Sequence, residues 1–273
     1  MLGSLSPRRR LLLFGATLLA VAATVAGLLV ALWPERRATP EGPVPVVLVH
    51  GYDGTPASFT TLASRLRTSG RQVVVVALPD RGTGDIDVSA GVVARAVDRT
   101  GAARVDLVGF SAGGIVVRAY LAQPGRAERA RHVVLLGAPN HGAQIAGLAA
   151  LLGPQLCNGA CAQLVPGSTL LTRLNALGHG REVPPGPDFT SIWTARDRTV
   201  TPPTSAVLAG ARNIRLQDVC ANDGAEHGDL VRDPLALGLA LRALDGGLDR
   251  QPGPADCAAL RGAGAAQASG TSP

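Results

Sequence analysis

The chain contains no lysine: its 26 strongly basic residues are all arginines, and they are scattered along 273 residues. Aromatic side chains make up only 3% of the sequence, too few to build the stacking platforms that single-stranded nucleic acids require. The net charge of +6 therefore does not describe a nucleic-acid-binding face. The densest basic clusters, Arg8-Arg9-Arg10 and Arg36-Arg37, flank an apolar segment instead. Cysteine is scarce, with four in all, and no C-x-x-C pair or histidine pair stands at zinc-ligand spacing. A structural metal site is thereby excluded as an expectation. No internal repeat is evident. The Ala-, Arg- and Gly-rich composition fits a coding bias and is neutral about function.

Hydrophobic residues reach 46%, enough for a sizeable core. The length suits one α/β domain of ordinary size plus a leader. Leu11 to Trp33 is an uncharged run of about 23 residues, and a bilayer crossing needs about 20. The arginines before it place the N-terminus in the cytoplasm and the rest outside. A cleaved signal peptide could end at Ala20-Val21-Ala22, but the apolar run continues to Trp33, which favours an uncleaved signal-anchor. Residues 1–37 are read as that segment, 38–43 as a linker, 44–249 as the folded domain and 250–273 as a largely disordered tail. The expected location is the cell membrane, single-pass with the domain outside, or the medium after signal cleavage. Export permits disulfides. Four cysteines can pair in three ways. Cys157 and Cys161 share one loop, Cys220 follows a predicted strand and Cys257 lies in the tail, so the expected bridges are Cys157–Cys161 and Cys220–Cys257.

Strand-like runs alternate with helix-like runs. The predicted strands are Pro45–His50, Gln72–Leu78, Arg104–Phe110, His132–Gly137, Phe189–Thr194 and Asn213–Val219. Several are continuous Val, Leu and Ile, as expected of strands buried on both faces of a parallel sheet. The predicted helices are Ala57–Thr68, Asp87–Arg99, Ala112–Leu121 and Pro234–Leu244, with Asp85 or Asp87 as a cap for the second. This alternation predicts an α/β fold with a mostly parallel, doubly wound sheet of about six strands and flanking helices. Residues 141–188 break the pattern with a Gly- and Pro-rich insertion, a possible cap. Its apolar stretch Ile145–Leu152 is either a packed helix or a lid.

Gly109-Phe110-Ser111-Ala112-Gly113 joins a predicted strand to a predicted helix. G-x-S-x-G in that context is the pattern of a nucleophile elbow, which raises a serine hydroxyl above the sheet. A serine needs an adjacent base, itself oriented by an acid, and in such folds the chain order is serine, acid, histidine. Asp197 follows the strand ending at Thr194, and His227 lies past the last strand. Asp218, Asp223 and Asp229 are the rival acids. Among the other histidines, His50 is read as shaping a loop, and His132 begins a strand at its wrong end. His141 is read as pocket wall, and His179 lies in the insertion. Two backbone N–H groups should face a developing oxyanion. Ala112, after the nucleophile, is one candidate, and Tyr52, in the loop after the first strand, is the other.

In chain order, VVLVHGYDG (46–54), TGAARVDLVGFSAGG (100–114), LLGAPNHGA (135–143), SIWTARDRTV (191–200), GARNIRLQDV (210–219) and EHGDL (226–230) span most of residues 44–245. The set resembles the α/β-hydrolase lipases, specifically the small bacterial class 2 triacylglycerol lipases and esterases. The resemblance implies an α/β-hydrolase fold, with Ser111 as nucleophile, Asp197 as acid and His227 as base. Tyr52 and Ala112 would supply the oxyanion N–H groups. It implies hydrolysis of a carboxylic ester through an acyl-enzyme, without cofactor or metal. The expected protein is a monomer acting on a lipid or small ester. Phe110 departs from the pattern, since that family usually has histidine before the nucleophile. An acyltransferase or thioesterase on the same fold, or a non-catalytic envelope binding protein, is the alternative.

Overall fold

Six short strands form one sheet in the spatial order Val73–Val76, Val46–Val49, Val105–Phe110, Ala130–Leu136, Asp188–Trp193 and Arg212–Arg215, and every neighbouring pair is parallel. The strands are β1 (Val46–Val49), β2 (Val73–Val76), β3 (Val105–Phe110), β4 (Ala130–Leu136), β5 (Asp188–Trp193) and β6 (Arg212–Arg215). This computed structural model describes Thr24 and residues 44–265, apart from Leu152, Pro154 and His179. The segment Leu11–Trp33, read above as a signal-anchor, lies outside the described residues, as does the tail from Ala266 onward. Among the described residues no helix is long and apolar enough to cross a membrane.

Burial on both faces explains why β1 and the Val133–Leu136 stretch of β4 are continuous apolar runs. Alternate residues of a strand point to opposite sides. Val47, Val49, Leu107, Val133 and Leu135 face one core with α2 (Ile86–Arg99) and α3 (Ala112–Leu121). Val46, Leu48, Val108, Val134 and Leu136 face the other, with α1 (Thr60–Thr68) and α8 (Pro234–Leu244). Asp85 is the N-cap of α2 and accepts from the Val88 N–H. The chain moves from β1 outward to β2, then crosses back to β3 on the other side of β1. That reversal opens a crevice at the carboxyl ends of β1 and β3, where open α/β sheets bind ligands.

The structure departs from the sequence expectations at two elements. The strand expected over Asn213–Val219 stops at Arg215, and Leu216–Val219 forms a short helix, α7. Leu216 and Val219 are both buried at a spacing that suits a helical turn as well as a strand. The tail read as largely disordered contains α9 (Cys257–Ala265). Two glycines let α9 lie directly on α8. A Cβ on Gly238 would stand 2.0 Å from the Leu260 carbonyl oxygen, and one on Gly264 would stand 1.6 Å from that of Pro234.

The insertion is folded rather than loose. It contains α4 (Gln144–Leu151), α5 (Ala160–Gln163) and α6 (Thr169–Asn175). Arg118, buried on α3, anchors it by donating to Asn140 Oδ1 at 3.3 Å, the Leu174 carbonyl at 3.1 Å, Asn175 Oδ1 at 2.7 Å and the Glu182 carbonyl at 2.9 Å. Burial pushes its guanidinium down to about 10, still charged at neutral pH. Gln163 caps the α2 end, accepting from Ile86 N–H and donating to Asp85. Disulfides join Cys157 to Cys161 and Cys220 to Cys257, the pairing expected from their positions.

Candidate active site

The elbow is built by what its glycines leave out. Ser111, between β3 and α3, sits at φ 53° and ψ −130°, a conformation that costs a non-glycine residue on the order of 1–3 kcal/mol. The turn survives because the surroundings over-determine it. Its N–H donates to the Leu136 carbonyl at 2.8 Å, and its own carbonyl accepts from Gly114 N–H at 2.9 Å. A Cβ on Gly113 would stand 2.2 Å from the Val49 oxygen, and one on Gly109 would stand 2.5 Å from Gly114 Cα. Helix α3 can thus press its first turn against the ends of β1 and β3.

Loops after β5 and β6 bring the other two residues to Ser111. His227 Nε2 is 2.9 Å from Ser111 Oγ, and His227 Nδ1 is 2.6 Å from Asp197 Oδ2. With the carboxylate on Nδ1, that nitrogen carries the proton and Nε2 is left to accept from the serine hydroxyl. Asp197 is buried, and its second oxygen accepts from Thr199 N–H at 2.9 Å and Val200 N–H at 2.7 Å. Hydrogen bonds to both oxygens thus fix the rotation of the carboxylate. The imidazole is walled by Phe110, whose ring centroid lies 5.1 Å away, and by Gly137, where a Cβ would come 3.2 Å from Nδ1. Phe110, noted in the sequence only as a departure, therefore packs on the histidine; nothing in the residue order signals that contact.

The rival acids are engaged elsewhere. Asp218 pairs with Arg215 on the surface. Asp229 is held below the usual carboxylate range by the Glu226 N–H and by Arg232. Asp223 is buried against Arg261. The remaining histidines lie off the trio. His132 faces Asp188 at 3.6 Å, and His141 meets Glu182 at 2.7 Å, joining the start of the insertion to its far end. His179 falls outside the described residues. His50 is buried: its Nε2 accepts from Leu78 N–H at 3.1 Å, and its Nδ1 lies 2.9 Å from the Gly51 carbonyl. Burial pushes its pKa below the ordinary histidine value, so it stays neutral.

His50 thereby shapes the loop that faces the serine. A Cβ on Gly51 would lie 2.9 Å from Ser111 Cβ, so this backbone runs against the serine with Tyr52 next in line. The Gly51 carbonyl also accepts from Gly54 N–H at 3.1 Å, closing the turn. The Tyr52 side chain is exposed. Ala112 opens α3, so its N–H is one of the first-turn donors that have no partner inside their own helix. Among the described residues no cluster of His, Cys, Asp and Glu could hold a metal ion.

A family model described as the alpha/beta hydrolase fold matches residues 44–156, which include Ser111 but neither Asp197 nor His227. No curated protein matches the chain. Among solved structures it is similar to Aspergillus fumigatus lipase B, at 22% identity and a TM-score of 0.61, over 81% of this chain and 61% of that one. It is also similar to the mature form of Bacillus licheniformis lipase BlEst2, at 18% identity and a TM-score of 0.59, over 77% of this chain and 95% of that one. A third is MGS-MChE2, an alpha/beta hydrolase enzyme from the metagenome of sediments of the Mar Chica lagoon, Morocco. It has 18% identity and a TM-score of 0.53, over 77% of this chain and 93% of that one. The chain thus spans 61% of the length of the Aspergillus lipase. Sheet order, elbow and family match together show that the chain has the α/β-hydrolase fold.

Proposed function

We infer that the protein is a serine hydrolase that cleaves carboxylic esters of lipids. The observation that carries this reading is the unbroken hydrogen-bonded chain Ser111–His227–Asp197 at a strained elbow. Ser111 Oγ attacks the ester carbonyl carbon while its proton passes to His227 Nε2. The tetrahedral oxyanion accepts from the N–H groups of Ala112 and Tyr52, and Asp197 stabilises the imidazolium. Collapse breaks the bond to the alcohol oxygen, and the departing alcohol takes the proton from His227. Water, deprotonated by the same nitrogen, then attacks the acyl-enzyme and releases the acid and the free serine.

Apolar exposure within the insertion supports a lipid rather than a polar ester. Ile145, Leu151 and Leu156 are exposed, and α4 starts where Gln144 N–H donates to the Thr201 carbonyl, a few residues past Asp197. Both disulfides and the apolar run after the N-terminal arginines support export, with Leu11–Trp33 as signal or anchor. The test is hydrolysis of p-nitrophenyl esters across short and long acyl chains. Turnover that rises with chain length, and rises further when the ester aggregates, is expected. Turnover confined to short soluble esters removes the lipid assignment, and no turnover of any ester by folded protein removes the hydrolase assignment.

A further inference from the structure

We propose that Arg261, on the C-terminal helix α9, is a positioning residue for the reaction read above: through Asp223 it holds the loop that presents His227. The role rests on that reading, and it starts from how the acid and base loops are tied together. Asp223 is fully buried. One of its oxygens accepts from Arg261 Nη2 at 2.6 Å, and the other accepts from Ala225 N–H at 3.0 Å. The Ala225 carbonyl accepts from Thr194 Oγ1 at 2.7 Å. Both backbone polar groups of a residue two positions before His227 are therefore taken.

The same network reaches the acid. Thr194 is fully buried and stands three positions before Asp197. The Gln217 amide donates to Thr194 Oγ1 at 3.0 Å and to the Asp223 carbonyl at 3.1 Å, and its oxygen accepts from Ala195 N–H at 2.9 Å. Thr194 Oγ1 also accepts from Arg196 N–H at 3.2 Å. Asp197 and His227 thus sit on two loops cross-linked by one polar network around the buried Thr194 and Asp223, and its cation, the partly exposed Arg261, comes from α9. The Cys220–Cys257 disulfide and the Gly238–Gly264 contact hold α9 where Arg261 can reach.

A buried carboxylate stripped of its cation must take up a proton or move toward water. Either response alters the acceptor that orients Ala225 and, with it, His227. Two elements bring charged groups to Asp223. Arg261 comes from α9, and Asp233 comes from the N-cap of α8, where burial and then the Asp223 charge act to raise its carboxyl while its cap hydrogen bonds oppose them. Without Arg261 two carboxylates remain together with no cation between them.

The experiment is steady-state p-nitrophenyl ester hydrolysis by the full chain against pH, well below the melting temperature. Arg261→Ala is expected to lower kcat by about tenfold or more with KM little changed, because a small displacement of a catalytic group costs rate rather than binding. The acid limb of its kcat profile is expected to move up by about one pH unit. Arg261→Lys, which restores the charge, is expected to recover most of both. If Arg261→Ala does not fold, Arg261→Gln keeps a donor without the charge and is judged by the same outcomes. A lowered Tm with wild-type kcat and an unmoved acid limb would mean that α9 only adds stability, and would overturn the proposal. Wild-type protein that turns over no ester overturns the hydrolase reading itself, and this role with it.

Discussion

Ser111→Ala and His227→Ala are each expected to lower kcat for ester hydrolysis by at least about 10,000-fold, and the double substitution to lower it little further. The three residues act as one unit. Without Oγ there is no nucleophile for His227 to activate, and without Nε2 the hydroxyl at 2.9 Å keeps its proton. The proposed oxyanion donors, the N–H groups of Ala112 and Tyr52, are retained in both variants and account for the residual rate expected. Stability should hardly change in Ser111→Ala, because the backbone bonds of the elbow, from Ser111 N–H to Leu136 and from Gly114 N–H to Ser111, do not use the side chain. Initial rates of the three variants beside their melting curves check this. Effects that multiply in the double variant would show that Ser111 and His227 do not serve the same step.

Gly113→Ala is expected to destabilise the fold by about 3 kcal/mol or more, a large effect for one methyl group. Its Cβ would meet the Val49 oxygen at 2.2 Å and the His50 oxygen at 2.3 Å, both backbone atoms that no rotamer change can move. Relief requires α3 to withdraw from β1. That withdrawal would also carry Ser111 away from Gly51 and from His227, so activity should fall with stability. Gly262→Ala is the control. Nothing lies within 4 Å of the added methyl, and it sits in the interior of α9, where alanine is favoured over glycine by up to about 1 kcal/mol. Urea midpoints of the two variants separate the cases. A Gly113→Ala midpoint close to wild type would mean that the helix is not pressed against the strand as described.

What could be read from the sequence followed from how each element is buried. Strands covered on both faces favour apolar residues at every position, so Val46–Val49 and Val133–Leu136 stand out as runs. The elbow was legible because small residues are forced at Gly109 and Gly113 by backbone contact on two sides. Helix α9 was not. Its sequence, rich in Ala and Gly, reads as low complexity, and its order comes from partners far along the chain: Cys220, Gly238 and Asp223. The strand expected through Val219 ends at Arg215 for a related reason, since buried positions three apart suit one helical turn and also a strand covered on both faces. The network of Thr194, Gln217 and Asp223 left no trace in residue order, because each link joins loops brought together only by the sheet.

The central claim is that Ser111 is the nucleophile activated by His227. A serine-directed fluorophosphonate, followed by peptide mass spectrometry, tests it most directly. One adduct on Ser111, forming far more slowly in His227→Ala, is the predicted result. No adduct on folded protein, or an adduct on a different residue with Ser111 unmodified, would contradict it.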